Sequence, residues 1–425
     1  MVINLRRCNM SGRTEVKILE ERKRSIIEGA GCTGDGKGIR CEQASVSGAV
    51  SQRACVYCGA RVVLNPITDA YHIVHGPIGC ASYTWDIRGS LSSGAETYRN
   101  SFSTDLRETD VIFGGEKKLT AAIDELVKKE RPRLIFVYAT CIVGVIGDDI
   151  EAVCKNASQK YGIRVIPVKA PGFSGTKSQG YKLACDAIME LIKPHTGIEK
   201  AKGINILGDF NLAGEMWIIK SYLKRLGINV ISTATGDAGY ESLIKMPSAQ
   251  LNIVQCAGSS VYLASRMEEE LGIPFIKVSF FGTEDTSASL IRIAQALGDE
   301  EALKKAKAFI AEETPKAKDF MDKYRPQLEG KKAAIYVGGG FKAISLIRQF
   351  NELGIETVVV GTQTGKKDEY EIIGQLVNKD TVILDDASPS ELEEFMLKKK
   401  ADILVGGVKE SPHAYKLGIA FWAQN

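Results

Sequence analysis

Short apolar, β-branched runs alternate along most of this chain with stretches of helical period. Residues 204–209, 229–233, 252–256 and 275–280 make one series of expected strands, and 333–337, 357–360, 381–384 and 402–405 make another. Between them, 216–226, 261–271 and 344–353 place apolar residues three and four apart, which predicts helices. Successive strands start roughly 20 to 25 residues apart, the spacing of a βα unit with its crossover helix. A further pair, 134–138 and 164–168, precedes both series. Continuous apolar strands are buried on both faces, so the reading is α/β: three Rossmann-like, doubly wound α/β/α domains with parallel sheets. A charged link near 318–332 separates the two series, and a second boundary falls near 195–203. The expected division is an N-terminal arm over 1–50, a first domain over 51–195, a second over 196–330 and a third over 331–425. Within the arm, 16–27 reads as a charged helix.

Charge and composition narrow the function. Lys and Arg number 55 against 52 Asp and Glu, a net +3, which leaves no basic footprint for nucleic acid. No apolar run reaches the length of about 18 residues that a membrane span needs. The first 24 residues are charged and lack the apolar core of a signal peptide, so a cytoplasmic protein is expected. Disulfides are rare in that compartment, yet the chain carries ten cysteines. Seven of them (Cys8, Cys32, Cys41, Cys55, Cys58, Cys80 and Cys141) fall in the first 141 residues, and Cys154, Cys185 and Cys256 follow.

Several motifs read as ordinary structure. Gly29–Gly34 matches a dinucleotide fingerprint in letters, but it follows an expected helix and not a strand. Gly338-Gly339-Gly340 directly follows a strand, where a backbone can approach an anion, although a tight βα turn explains it as well. Cys55-Val-Tyr-Cys58 suits a redox pair poorly, because 60–64 reads as strand-like or irregular, and a zinc ribbon poorly, because eight residues separate Cys32 from Cys41. His195 and His413 have no nucleophile at an interpretable spacing, and Asp148-Asp149 reads as a helix cap. Cys154 and Cys185 read as buried fillers. Cys80, in a Gly-Pro loop, and Cys141 and Cys256, at the ends of strands, stand apart. Open α/β sheets place ligands at those ends, and thiolates on several segments suit an iron–sulfur cluster.

These segments carry a resemblance to the nitrogenase component 1 family. It runs through Cys55-Val-Tyr-Cys-Gly-Ala, His75-Gly-Pro-Ile-Gly-Cys80, Trp85-Asp-Ile-Arg88-Gly, Phe113-Gly-Gly-Glu-Lys-Lys118 and Thr140-Cys141. It continues through Ile146-Gly-Asp-Asp149, Gly208–Gly214, Asn252–Cys256, Phe280–Gly282 and Tyr336–Gly340, covering nearly everything after residue 50. The Trp85–Gly89 run and Ser92-Ser-Gly94 resemble the branch that serves as a scaffold for the iron–molybdenum cofactor more than the catalytic alpha subunit.

The resemblance implies that Cys55, Cys80 and Cys141 bind a permanent 4Fe-4S cluster at the interface with a homologous partner subunit, in a heterotetramer. It implies that Cys256 is the thiolate for a large cofactor precursor, an iron–sulfur–carbide cluster, with Arg88 beside it. Molybdenum and homocitrate would enter during maturation. An ATP-dependent reductase resembling the nitrogenase iron protein would supply electrons, and a further protein would donate the precursor. Asn425 stands where the alpha subunit has a cofactor-ligating histidine, and 172–184 lacks the histidine of the active face. An amide is a poorer ligand than imidazole for such a metal. These departures favour a non-catalytic assembly scaffold, with a catalytic alpha-type subunit of a nitrogenase or nitrogenase-like reductase as the rival. The family pattern also continues past the position of Asn425 through another glycine- and aromatic-rich segment.

Overall fold

Strands buried on both faces need no polar alternation, and all six residues of Leu134–Ala139 (LIFVYA) are buried. The computed structural model describes residues 18, 20–28, 39, 54–85, 90–94, 100–255 and 257–423. Fourteen strands occur among them. They are β1 (Ile26–Glu28), β2 (Ala70–His75), β3 (Ser101–Ser103), β4 (Leu134–Ala139), β5 (Arg164–Lys169), β6 (Ile204–Asp209) and β7 (Val230–Thr235). The rest are β8 (Leu251–Val254), β9 (Phe275–Lys277), β10 (Lys332–Val337), β11 (Glu356–Thr362), β12 (Val382–Asp385), β13 (Ile403–Gly406) and β14 (Ala420–Ala423).

The strands form three sheets. Two are wholly parallel, with orders β3-β2-β4-β5 and β7-β6-β8-β9. The third, β1-β12-β11-β10-β13-β14, is parallel except for β1, which pairs antiparallel with β12 at one edge. Each order is doubly wound, and the winding reverses between β2 and β4, between β6 and β8, and between β10 and β13.

One compact unit comprises 54–278 and 289–309 and holds both four-stranded sheets. The other is built on the six-stranded sheet, from 310–425, 279–288 and the described part of 1–53. In the first unit the helix Lys177–Ile192 packs against both Val56–Leu64 and Ala257–Leu271. Its crossing with Val56–Leu64 is in backbone contact. A Cβ on Gly59 would lie 2.1 Å from the Lys177 carbonyl oxygen, and one on Gly180 would lie 2.1 Å from that of Val56.

Three local expectations are corrected. Residues 60–64 are helical, not strand-like. Valines at 62 and 63 disfavour a helix by only tenths of a kcal/mol, whereas every residue of Val56–Leu64 except Val62 is buried. In the arm, the described part of 16–27 is a 3-10 turn, Glu20–Ser25, running into β1. Buried Arg22 draws it to the sheet, donating to Glu391 (3.1 Å to each carboxylate oxygen) and to the carbonyls of Asp385 (2.8 Å) and Asp386 (3.1 Å). The charged stretch near 318–332 is helical as far as Leu328, the end of the helix Glu300–Leu328. Its Lys and Glu are good helix formers and pair along one face, as Lys316 does with Glu312 at 2.9 Å. No helix among the described residues is long and apolar enough to cross a membrane.

Candidate functional site

Where a doubly wound sheet reverses, the loops beyond two neighbouring strands diverge and leave a crevice. In the first sheet those strands are β2 and β4. After β2 the chain turns through Gly76-Pro77 into the helix Ile78–Trp85, which carries Cys80; after β4 it passes Thr140 into the helix Cys141–Ile146. The sequence reading puts Cys80 in a loop; it lies in a helical turn. Cys55 caps the N-terminus of Val56–Leu64 and bridges to Thr176.

Gly172 ties two of the thiols together. Its N–H donates to Cys141 Sγ (3.1 Å). A Cβ there would lie 2.9 Å from Cys141 Sγ, 3.2 Å from Cys55 Cβ and 3.4 Å from Cys55 Sγ. Cys80 shares the same field. Its thiol is held above the ordinary range by burial first, then by the neighbouring Cys141 and Cys55 thiols, against a hydrogen bond with Thr140. The structure therefore brings Cys55, Cys80 and Cys141 together. Cys141 is exposed and the other two are half-buried, so the group opens at the surface. The elements that carry it expose apolar side chains there: Ile78, Tyr83, Val145 and Phe173.

Among the described residues no three His, Cys, Asp or Glu side chains converge on one metal ion. A polynuclear cluster distributes soft thiolates over several irons, and three neighbouring thiols on separate segments match that donor set.

The loops are pinned by a network the sequence reading does not contain. His75, the last residue of β2, is buried. Its Nδ1 lies 3.0 Å from Thr104 Oγ1 and its Nε2 3.0 Å from Asp148 Oδ2. Asp148 also accepts the Gly115 N–H at 3.0 and 3.1 Å. The Asp148 carboxylate can only accept, so Nε2 carries a proton, while Thr104 Oγ1 also accepts the Gly76 N–H (3.1 Å). Burial holds the His75 pKa below its ordinary value, against the opposing pull of Asp148. Of the expected helix-capping pair, only Asp149 caps, accepting the Ala152 N–H at 3.0 Å.

Arg88, Cys256 and Asn425 lie outside the described residues, as do Gly29–Gly34, Cys8, Cys32 and Cys41. In the chain, Cys256 comes two residues after β8, one of the strands flanking the reversal of the second sheet. Cys154 and Cys185 are buried, and burial pushes both thiols up to about 12. The Cys185 thiol lies 3.4 Å from the Ser259 carbonyl oxygen, to which it donates. Cys58 is buried within its helix. At Gly338–Gly340 the Glu369 carboxylate accepts the Phe341 N–H (3.1 Å), so a side chain of the protein takes the position an anion would need. His413 pairs with Glu393 at 2.8 Å.

The family profile described as nitrogenase component 1 type oxidoreductase matches residues 55–424. The chain belongs to that family. Among nitrogenase component 1 relatives, the nitrogenase iron–molybdenum cofactor biosynthesis protein NifE of Clostridium pasteurianum is 67% identical over 415 residues, 96% of this chain and 90% of that protein. The NifE of Methanosarcina barkeri is 54% identical over 417 residues, with the same shares of the two chains. The component 1 fold is seen in solved structures as well. Nitrogenase Cp1 at pH 6.5 superposes with a TM-score of 0.85 at 30% identity, over 95% of this chain and 89% of that one.

Proposed function

We propose that this chain is a scaffold subunit on which the nitrogenase iron–molybdenum cofactor is assembled during nitrogen fixation. The observation that carries the reading is 67% identity, over 96% of the chain, to a protein named for that biosynthesis. The thiol grouping supports the resident half of the role. Cys55, Cys80 and Cys141 hold a 4Fe-4S cluster, with a further thiolate from a homologous partner resembling NifN in a heterotetramer. When bound, such a cluster takes up and releases single electrons. The protein supplies the thiolates, and the Gly172 N–H donates to Cys141 Sγ, withdrawing charge from the ligand and favouring the reduced state. The apolar side chains around the thiols suit a face covered by that partner.

The substrate is the cofactor precursor, an iron–sulfur–carbide cluster delivered by a donor protein. Cys256 docks it, with Arg88 beside it, while molybdenum and homocitrate are added. Electrons come from the nitrogenase iron protein, which binds the ATP, in the cytoplasm. Asn425, an amide where the catalytic subunit has imidazole, makes a weak tether that lets the product leave.

Anaerobic copurification with the partner tests both halves. Cys256→Ala should lose the large cluster and keep the small one by iron counting and electron paramagnetic resonance; loss of both, or of neither, overturns the assignment. The rival is a catalytic alpha-type subunit. Acetylene reduction at a true nitrogenase's rate, with the cognate reductase, would replace the scaffold reading with it.

A further inference from the structure

We infer that His75 and Asp148 are positioning residues for the Cys80 and Cys141 thiols, acting as a buried imidazole–carboxylate clamp across the reversal of the first sheet. The inference rests on reading those thiols as cluster ligands.

Parallel neighbours β2 and β4 carry their loops in opposite directions at this point, so two thiols on those loops have no common backbone to fix their separation. His75 lies five residues before Cys80, where the first loop leaves β2, and Asp148 seven after Cys141, where the second loop passes into the helix Ile150–Tyr161. The His75–Asp148 contact closes that gap at 3.0 Å, with side chains 0% and 4% exposed. The backbone repeats the tie, since the His75 carbonyl accepts both the N–H (3.2 Å) and the hydroxyl (3.0 Å) of Thr140, the residue before Cys141. Gly115 enters from a third side and donates to Asp148, with no room for a side chain: a Cβ there would lie 2.6 Å from Asp148 Oδ2 and 2.9 Å from His75 Cε1. Every polar atom of the two side chains has a partner, as a buried pair in low dielectric requires. Truncating either one leaves a buried group unpaired and reduces the tie between the loops to the contacts of Thr140 with the His75 carbonyl.

The test uses the full chain copurified anaerobically with its partner, and the same complex after cluster removal by chelation under reducing conditions. His75→Ala and Asp148→Ala should each lower cluster retention roughly 10-fold or more, the usual effect of removing an outer partner of a metal ligand. His75→Gln, which can still donate to Asp148, should restore most of it. Gly115→Ala, which forces the pair apart without removing either member, should resemble the alanine variants. The cluster-free readout is alkylation by iodoacetamide, resolved by mass spectrometry. His75→Ala should speed modification of Cys80 and Cys141 several-fold and leave Cys55, held by a different helix, at the wild-type rate. Equal acceleration of all three thiols, or no difference between Gln and Ala at position 75, would overturn the clamp. If instead the complex keeps its iron after Cys80→Ala in an otherwise unchanged chain, the reading of the thiols as ligands fails, and the alkylation pattern still reports on the clamp alone.

Discussion

Adding one methyl group at Gly172 puts the thiol grouping under direct strain. The backbone there is not in the left-handed region, so alanine is opposed only by space. Its Cβ would stand 2.9 Å from Cys141 Sγ and 3.2 Å from Cys55 Cβ, where unstrained heavy atoms keep about 3.5 to 4.0 Å. Something must yield by about half an ångström or more. Gly172 opens a 3-10 turn, Gly172–Ser174, whose Phe173 and Ser174 are exposed, so the turn can swing outward. That relief puts the stability loss near the low end of the overpacking range, about 1 kcal/mol. The swing also lengthens the 3.1 Å contact from the Gly172 N–H to Cys141 Sγ and shifts two ligands relative to the third. Disturbing an outer partner of a metal ligand typically lowers affinity about 10- to 100-fold. Gly172→Ala should therefore leave the melting temperature nearly unchanged while iron per chain and the small-cluster resonance fall. Full iron content with an unaltered spectrum would refute the convergence of the thiols around this glycine. A large drop in melting temperature would refute the expectation that the turn gives way.

Other perturbations read other parts of the molecule. Gly59→Ala or Gly180→Ala drives a Cβ to 2.1 Å from a backbone oxygen, and since backbone cannot rotate away the loss should reach about 3 kcal/mol, seen as a lower urea midpoint or an insoluble chain. Arg22→Gln leaves Glu391 buried without its cation, at a cost of about 3 to 5 kcal/mol; Arg22→Met with Glu391→Leu should recover most of the midpoint. In cluster-free protein, Cys80, held above the ordinary thiol range, should alkylate more slowly than exposed Cys141 near pH 8, and the gap should narrow as pH rises. Cys154 and Cys185 titrate near 12 in the fold against an ordinary value of 9.0. The unfolded chain then sheds those protons first, so stability is complete below about pH 9 and falls as pH rises toward 12, measurable as a declining urea midpoint.

The sheets were legible because a parallel strand buried on both faces leaves an uninterrupted apolar run. Residues 134–138 and 164–168 come within a residue of β4 and β5 for that reason. β2 escaped the same logic because His72 and His75 break its run. Both rings are buried with partners far away in sequence, His72 Nδ1 at 2.9 Å from the Tyr138 hydroxyl. The helix Val56–Leu64 was hidden by its valines, and what makes it a helix is its crossing with Lys177–Ile192, which no local window contains. Cys80 stood out by its Gly-Pro loop and Cys141 by its place after a strand, but the clamp did not, since His75 and Asp148 are 73 residues apart and meet only when the sheet winds. Gly172 gave no signal among 42 glycines.

The helix Lys177–Ile192 also sets a length. At one end, Gly180 is locked against Val56–Leu64, whose cap is Cys55; five residues on, Cys185 bonds Ser259 in the first turn of the helix that follows Cys256. An added residue between these anchors would turn one by about 100° and slide it about 1.5 Å relative to the other. Loops around this unit can absorb an inserted residue, but this rod cannot, so it works as a gauge block between the two sheets, and the reach from one reversal point to the next is written in turns of a single helix.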